Sequence, residues 1–316
     1  MIARRLPAAG RDLLAERFEV DEGELILDRQ ELLRRVRGAA ALVADPTVTV
    51  DAELLEAAGT PLRIVANFAV GYDNVDLRAC RERGVVVTNT PDVLTNATAE
   101  LAVTLMLAAA RRVGEGERAV RGGRWSGWDP AALLGRELSG ATVGIVGLGR
   151  IGARVAALLA GFEPNVLYTT TSMRPETIWA EARLGLERVE LPELVARSDL
   201  VTLHVPLTAD TRHLVDAKLL ERFKPGAVLV NTSRGGLVDT AALAAALRGG
   251  RLAAAGLDVY EREPDVDPAL LELENVVLLP HVGSATAKAR DAMGRLVAEN
   301  AIEVLEGRPP VTPVEG

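Results

Sequence analysis

Short apolar runs alternate with helix-forming stretches along the chain, and this pattern restricts the fold more than any other feature. The runs that predict buried strands lie at residues 39–44, 62–66, 85–88, 142–146, 166–169, 200–205, 227–231, 253–259 and 276–279. Strands that are separated by helices form parallel sheets. The sequence therefore predicts an α/β fold of two Rossmann-like, doubly wound parallel-sheet domains, of which the second is larger.

Two long helices are predicted beside these strands. Residues 95–113 are rich in Ala and Leu, and residues 285–306 form the last helix before Gly307. The segment between the first of these helices and the second strand series, residues 114–140, contains Gly and Trp but has no clear period. We therefore predict a loop there.

Composition and charge exclude several classes of protein. The chain holds 36 Lys and Arg against 44 Asp and Glu, a net charge of −8, whereas nucleic acids and anionic membranes need a basic surface. The most apolar stretch, residues 101–110, is shorter than the ~20 residues of a membrane span. A single cysteine, Cys80, fits a reducing cytoplasm. We expect a cytoplasmic protein without nucleic-acid or membrane partners.

Three histidines and one thiol rule out a Cys/His zinc cluster but leave carboxylate-rich sites open, and no metal site is assigned.

A glycine motif follows the strand at residues 142–146. Residues 147–152 (GLGRIG) match G-x-G-x-x-G through Gly147, Gly149 and Gly152, and they open the next predicted helix. One glycine permits the tight turn, one lets the backbone approach a pyrophosphate, and one seats the helix on the strand. The free N–H groups at the helix N-terminus suit phosphate. The motif in this setting predicts a dinucleotide-binding domain.

The segment after the next strand is expected to distinguish NADPH from NADH. A carboxylate about 20 residues after the motif commonly binds the ribose 2′-hydroxyl of NADH. Residues 168–174 (YTTTSMR) hold no carboxylate, and Thr171, Ser172 and Arg174 instead offer groups that suit a phosphate. The expected cofactor is NADPH rather than NADH. The alternative is that Arg174 is a solvated loop residue and that cofactor choice is loose.

Three charged residues follow predicted strands of the second series. Arg234 lies in NTSRGGLVD, Glu263 in GLDVYEREP and His281 in LLPHVGS. Such sheets bind ligands in the crevice at the carboxyl ends of their strands. Taken alone, Arg234 fits a surface ion pair and His281 fits a structural histidine. Together the three fit an anion clamp, an orienting carboxylate and an acid.

Several longer motifs occur in a fixed order along nearly the whole chain. They are NFAVGYDNVDL (67–77), TPDVLTNATAELAVTLMLAAARR (90–112), TVGIVGLGRIG (142–152), NTSRGGLVD (231–239), AAGLDVYEREP (254–264) and LLPHVGSAT (278–286). With these motifs the chain resembles the D-isomer-specific 2-hydroxyacid dehydrogenase family, and within it the glyoxylate/hydroxypyruvate reductases.

The resemblance implies a function and a set of site residues. It implies NAD(P)H-dependent reduction of a small 2-keto acid, glyoxylate or hydroxypyruvate, to the D-2-hydroxy acid, with Arg234, Glu263 and His281 catalytic and His281 as proton donor. The implied substrate contacts are Val70, Gly71, Trp128, Arg234, His281 and Ser284, with Gly283 close by. The implied cofactor contacts, beside Gly147 of the motif, are Thr104, Gly149, Arg150, Ile151, Val205, Pro206, Thr211, Thr232 and Asp258.

The resemblance also implies a domain organisation. Residues 1–94 and 285–316 would form a flavodoxin-like substrate-binding domain, and residues 95–284 the dinucleotide-binding Rossmann domain, with the site in the cleft between them. A homodimer is implied, in which a partner subunit donates Trp128; a loop-anchoring role for Trp125 and Trp128 is the alternative. His204 and His213 match no family motif and are expected to be structural or cofactor-adjacent.

The chain departs from the family pattern at two places, and functions other than glyoxylate or hydroxypyruvate reduction stay open for it. Its first strand is reduced to residues 1–5, and it lacks the Arg that similar reductases often carry near Thr171. Another D-2-hydroxyacid dehydrogenase, or a phosphoglycerate or phosphite dehydrogenase, is one alternative. An NADH-sensing, corepressor-like binding protein of the same fold is another.

Overall fold

The computed structural model describes residues 1–22 and 28–314, which form helices and parallel strands in alternation. The strands are β1 (Ala41–Ala44), β2 (Ile64–Asn67), β3 (Val86–Thr88), β4 (Thr142–Val146), β5 (Asn165–Thr169), β6 (Glu187–Arg188), β7 (Leu200–Leu203), β8 (Ala227–Asn231), β9 (Leu252–Leu257) and β10 (Val276–Leu278). The helices are α1 (Ala8–Ala15), α2 (Arg29–Arg35), α3 (Ala52–Ala58), α4 (Leu77–Glu82), α5 (Thr95–Ala110), α6 (Val113–Arg121), α7 (Arg150–Leu159), α8 (Pro175–Leu184), α9 (Leu191–Arg197), α10 (Ala217–Leu220), α11 (Thr240–Arg248), α12 (Pro268–Leu271) and α13 (Ala287–Leu305). The predicted α/β class with parallel sheets is confirmed.

The chain divides into two compact units. Unit 1 comprises Met1–Leu94 and Ser284–Gly316, and unit 2 is the continuous segment Thr95–Gly283.

Unit 1 is built on a parallel sheet in the order β1-β2-β3. Helices α2, α3 and α4 each begin at an aspartate whose carboxylate accepts the N–H three residues on, as an N-cap does. Helix α13 packs on β2 and on α1, where a Cβ at Gly10 would overlap the Gly294 carbonyl. Ile2 reaches the sheet only through isolated bridges, which fits the short first strand in the sequence.

Unit 2 is built on a seven-stranded parallel sheet in the order β10-β9-β8-β7-β4-β5-β6. Alternate strand residues point into two separate apolar clusters, one completed by α5, α7 and α8 and the other by α9, α10, α11 and α12. Because both faces are covered, the inner strands are mostly apolar, whereas the edge strand β6 consists of the exposed Glu187 and Arg188. The strand order reverses between β4 and β7, which is the topological switch point where such sheets bind ligands.

The prediction of a single helix over residues 95–113 is wrong, because two helices, α5 and α6, occupy residues 95–121. The prediction of a loop over residues 114–140 is therefore wrong for its first eight residues. Helix α5 ends at Ala110, whose carbonyl accepts the Arg136 N–H at 2.8 Å, and Arg112 is left-handed with φ of 53°. Helix α6 then covers Val113–Arg121. No residue of α6 is buried, and its Gly114 and Gly116 disfavour a helix, so the segment reads as a loop in the sequence.

None of the helices in residues 1–22 and 28–314 is both long and apolar enough to cross a membrane. The same ranges contain no group of three or more His, Cys, Asp or Glu side chains placed to hold a metal ion. Cys80 is a free, buried thiol, and burial raises its pKa to about 11.

Candidate active site

An imidazole and a carboxylate pair at the carboxyl end of the large sheet. The Nδ1 atom of His281 lies 2.6 Å from Oε2 of Glu263, and both side chains are half-buried. The other oxygen of Glu263 accepts the Tyr260 N–H at 3.0 Å. Burial alone would raise the pKa of Glu263, but the hydrogen bond and charge of His281 outweigh it, and the Tyr260 N–H and the Arg234 charge add to them. The net pKa of Glu263 is lowered, so its carboxylate is ionised at neutral pH and lies against the His281 ring.

Arg234 lies on a turn that packs directly against the segment carrying Glu263. The buried Asn231, the last residue of β8, donates through its amide to the Arg234 carbonyl at 2.8 Å and accepts the Ser233 N–H. The next residue, Gly235, has no space for a side chain, because a Cβ there would overlap the Tyr260 carbonyl and the Glu261 nitrogen. The Arg234 turn and the Glu263 turn are therefore held together by backbone contact.

Asp258 holds the loop that presents His281. Its two carboxylate oxygens accept the Val282 and Gly283 N–H groups at 2.8 and 2.7 Å, and its carbonyl accepts the His281 N–H at 2.9 Å. Burial raises the pKa of Asp258 against the effect of these hydrogen bonds. His281 itself is left-handed, with φ of 54°. The anchored loop leaves Nε2 as the ring nitrogen that does not face Glu263.

The glycine motif fits a dinucleotide. A Cβ at Gly152 would overlap the Gly147 carbonyl, and Gly147 itself is left-handed with φ of 95°. A Cβ at Gly149, the N-cap of α7, would meet no atom within 4 Å, so open space lies over the helix N-terminus. This combination of a tight turn and an open N-terminus at the switch point is a phosphate cradle.

Two unsatisfied polar atoms lie just beyond strands β7 and β8, at the carboxyl edge of the same sheet. In the described part of the chain, His204 Nδ1 and Thr232 Oγ1 are buried without a hydrogen-bond partner. His204 Nε2 contacts Thr202 Oγ1 at 2.9 Å, and burial lowers the pKa of His204 to about 3, so the ring is neutral. Its backbone N–H donates to Val146 just before the glycine motif. The expectation of a structural or cofactor-adjacent His204 fits this position.

The other predicted cofactor residues of unit 2 lie on several elements. Thr104 is exposed on α5 and donates to Glu100, and Thr211 donates to the Pro206 carbonyl at 2.7 Å. Arg150 forms an ion pair with Glu176 at 3.3 Å. Ile151 lies in the first turn of α7, and Val205 and Pro206 lie in the segment after β7. Thr171, Ser172 and Arg174 are exposed between β5 and α8. Their roles remain predictions.

Three predicted substrate residues belong to unit 1. The carbonyls of Val70 and Gly71 accept the side-chain amides of Asn89 and Asn67, each at 2.8 Å. Within residues 1–22 and 28–314, the N–H groups of Val70 and Gly71 donate to no other group. Ser284 begins the C-terminal part of unit 1, and its carbonyl accepts the Thr286 N–H.

Trp125 and Trp128 lie in the loop after α6. Their side chains are 65% and 85% exposed. Trp128 therefore makes little contact with its own chain, and the roles of both residues stay predictions.

Sequence reasoning missed several supporting residues. Asn231 and Tyr260 position the turns of Arg234 and Glu263, and the Tyr260 hydroxyl donates to the Leu279 carbonyl at 2.8 Å. His213, another left-handed histidine, pairs with Glu261. A polar residue at the end of an apolar strand, as in AVLVN, is the signal that would have found Asn231. The Tyr260–Leu279 and His213–Glu261 contacts join distant segments and leave no local signal.

A dinucleotide cradle, an anionic carboxylate paired with an imidazole, and a neighbouring guanidinium together define an oxidoreductase that uses a nicotinamide cofactor. Residues 103–283 match the family model of the D-isomer specific 2-hydroxyacid dehydrogenase NAD binding domain. The chain belongs to the D-isomer-specific 2-hydroxyacid dehydrogenase family, as the motifs predicted.

Relatives match along almost the whole chain. A glyoxylate reductase of Thermococcus onnurineus is 47% identical over 99% of this chain and 94% of its own. A solved structure from Thermus thermophilus is 45% identical, covers 99% of both chains and superposes with a TM-score of 0.91. An NADPH-dependent glyoxylate/hydroxypyruvate reductase of Sinorhizobium meliloti, solved with NADP and malonate, is 36% identical, covers 99% of this chain and 95% of its own, and has a TM-score of 0.84.

Proposed function

We propose that the protein reduces glyoxylate or hydroxypyruvate to the D-2-hydroxy acid with NADPH as the preferred reductant. The observation that carries the proposal is the 2.6 Å contact between His281 Nδ1 and the anionic Glu263 next to Arg234. The names of the relatives, glyoxylate reductase and glyoxylate/hydroxypyruvate reductase, support the substrate. They do not favour a phosphoglycerate or phosphite dehydrogenase or a corepressor-like binding protein.

The bound nicotinamide cofactor supplies the hydride for the carbonyl carbon. His281, held protonated by Glu263, gives its Nε2 proton to the carbonyl oxygen as charge develops there. Arg234 binds the substrate carboxylate and polarises the carbonyl, because a guanidinium keeps its charge and presents two parallel donors. The N–H groups of Val70 and Gly71 are proposed as further donors to the carboxylate, with Ser284 and Trp128 as neighbours of the substrate.

NADPH is proposed over NADH from the chemistry of the segment after β5. Thr171, Ser172 and Arg174 offer hydroxyls and a guanidinium, and no carboxylate in this segment repels a 2′-phosphate. The NADPH dependence of the Sinorhizobium meliloti relative supports this preference.

The function is tested by steady-state assays with a panel of 2-keto acids. We expect the highest kcat/KM with glyoxylate and hydroxypyruvate, and values about tenfold higher with NADPH than with NADH. Turnover of none of the 2-keto acids would contradict the enzymatic proposal. A tenfold preference for NADH would contradict the cofactor proposal alone.

A homodimer in the cytoplasm is proposed as the working form. Helix α6 and the loop after it expose apolar side chains that a monomer rarely presents together, namely Val113, Val120, Trp125, Trp128 and Leu134. The free Cys80 fits a reducing compartment.

The exposed tryptophan makes the dimer testable. Sedimentation is expected to give twice the 33.5 kDa chain mass for the wild type, and Trp128→Asp is expected to shift the protein towards monomer. Trp179→Asp, which changes an exposed tryptophan of α8, is the matched control and should remain dimeric. A monomeric wild type, or a dimeric Trp128→Asp, would contradict the proposal.

A further inference from the structure

The segment after β5 lies beside the glycine motif but has no arginine at its start. The Gly147 N–H donates to the Thr169 carbonyl at 2.9 Å, so the motif and the end of β5 are in direct contact. In a dinucleotide-binding sheet, the residues that follow this strand meet the adenosine ribose. Here they are Thr170, Thr171 and Ser172, which carry hydroxyls and no charge.

A guanidinium reaches this segment from the neighbouring strand. Arg188, the last residue of β6, is paired in register with Tyr168, and the Val189 N–H donates to the Tyr168 carbonyl. Since β5 and β6 are parallel, the Arg188 side chain extends past the carboxyl end of β5. Its Nη2 donates to the Thr170 carbonyl at 3.1 Å, and its Nη1 lies 3.7 Å from Met173 Sδ.

The charge of Arg188 is not balanced by a carboxylate. Within the described part of the chain, Arg188 forms no ion pair, and its side chain is exposed. The neighbouring acids are engaged elsewhere: Glu187 pairs with Arg197 at 2.7 Å, Glu176 pairs with Arg150, and Glu181 accepts the Tyr168 hydroxyl. A guanidinium has five N–H donors, and the two contacts here leave most of them for an anion.

We propose that Arg188 binds the 2′-phosphate of NADPH and is the main determinant of the cofactor preference. It supplies from β6 a positive charge beside residues 170–172, whose hydroxyls complete the site. The Thr170 carbonyl orients the side chain beforehand, which lowers the entropy lost on binding. This inference rests on the proposed preference for NADPH.

Equilibrium binding tests the inference without relying on turnover. Dissociation constants of NADPH, NADH, 2′,5′-ADP and 5′-AMP are measured by calorimetry for the wild type and for Arg188→Gln. Loss of one charged hydrogen-bond partner is expected to raise the dissociation constants of NADPH and 2′,5′-ADP roughly tenfold to a hundredfold. The dissociation constants of NADH and 5′-AMP should change by less than about twofold, because neither ligand carries the 2′-phosphate.

Matched variants separate the possible outcomes. Arg183→Gln, an exposed arginine in the last turn of α8, should leave all four constants unchanged. Arg188→Lys should restore part of the lost affinity, because it keeps the charge but not the planar fork. Equal weakening of NADPH and NADH in Arg188→Gln would indicate a structural role and overturn the inference.

Two further outcomes distinguish this inference from the proposed cofactor preference. A wild type that prefers NADPH, with that preference retained in Arg188→Gln and lost in Arg174→Gln, would overturn the role of Arg188 and leave the preference standing. A wild type that binds NADPH and NADH equally well would overturn the preference and the inference together.

Discussion

His281→Asn is expected to lower kcat for glyoxylate reduction by roughly a hundredfold to ten-thousandfold, the usual contribution of a positioned proton donor. Asparagine is the informative replacement because residue 281 is left-handed, with φ of 54°, and Asn tolerates that conformation. The variant therefore removes the imidazole without straining the loop. The affinity for NADPH, measured by fluorescence titration, should stay close to that of the wild type.

A matched control lies in the same unit. His213 is also left-handed, with φ of 51°, and also pairs with a glutamate, Glu261, but it matches no family motif. His213→Asn should retain kcat within a few-fold of the wild type. Wild-type turnover in His281→Asn, or an equal loss in both variants, would refute the assigned role of His281.

The same pair predicts the direction of a pH effect. Glu263 has a lowered pKa and is anionic at neutral pH. Glu263→Gln removes this negative charge from beside the proposed proton donor. The alkaline fall of kcat for reduction is expected to move to lower pH in this variant. A shift to higher pH would contradict the orienting role of Glu263.

Gly235→Ala is expected to have the next largest effect, on stability and activity together. Its Cβ would overlap the Tyr260 carbonyl and the Glu261 nitrogen, so the turns of Arg234 and Glu263 must move apart. Overpacking of this kind costs about 1–3 kcal/mol of unfolding free energy. Displacing a catalytic group by about 1 Å lowers the reaction rate roughly a hundredfold. We expect a lower Tm and a kcat/KM reduced by about that factor.

Gly161→Ala is the control for this substitution. A Cβ at Gly161 would meet nothing within 4 Å, and its φ lies outside the left-handed region. Its Tm and kcat/KM should therefore match the wild type. If Gly235→Ala also matched the wild type on both measurements, the backbone contact between the two turns would not position the site.

The sequence predicts the α/β class and the family because both depend on local patterns. Buried strands such as AVLVN (227–231) are continuous apolar runs, and the motifs retain their order and spacing. The break after α5 was not predictable, because the Arg136 N–H that ends the helix lies 26 residues further along the chain. Helix α6 is short, has no buried residue and contains Gly114 and Gly116, so the local sequence favours a loop there.

The residues of the candidate site were also predictable only in part. The sequence identifies Arg234, Glu263 and His281 as charged residues beyond strands, and the structure places His281 against Glu263. It does not reveal Asp258 as the anchor of the His281 loop or Arg188 as a cation beside Thr170, because both contacts depend on how separate strands align. The catalytic and binding roles of these residues stay predictions.

The discontinuity of unit 1 has a consequence for protein synthesis. Helix α13 covers β2 and packs on α1, yet it is translated after the whole of unit 2. The emerging N-terminal segment therefore keeps an apolar sheet face uncovered while 189 residues (95–283) are added. Unit 2 is contiguous and can complete its core first, as domains generally fold as units on the ribosome. The segment made before unit 2 is thus buried only after it, and it is exposed to chaperones and proteases in the meantime.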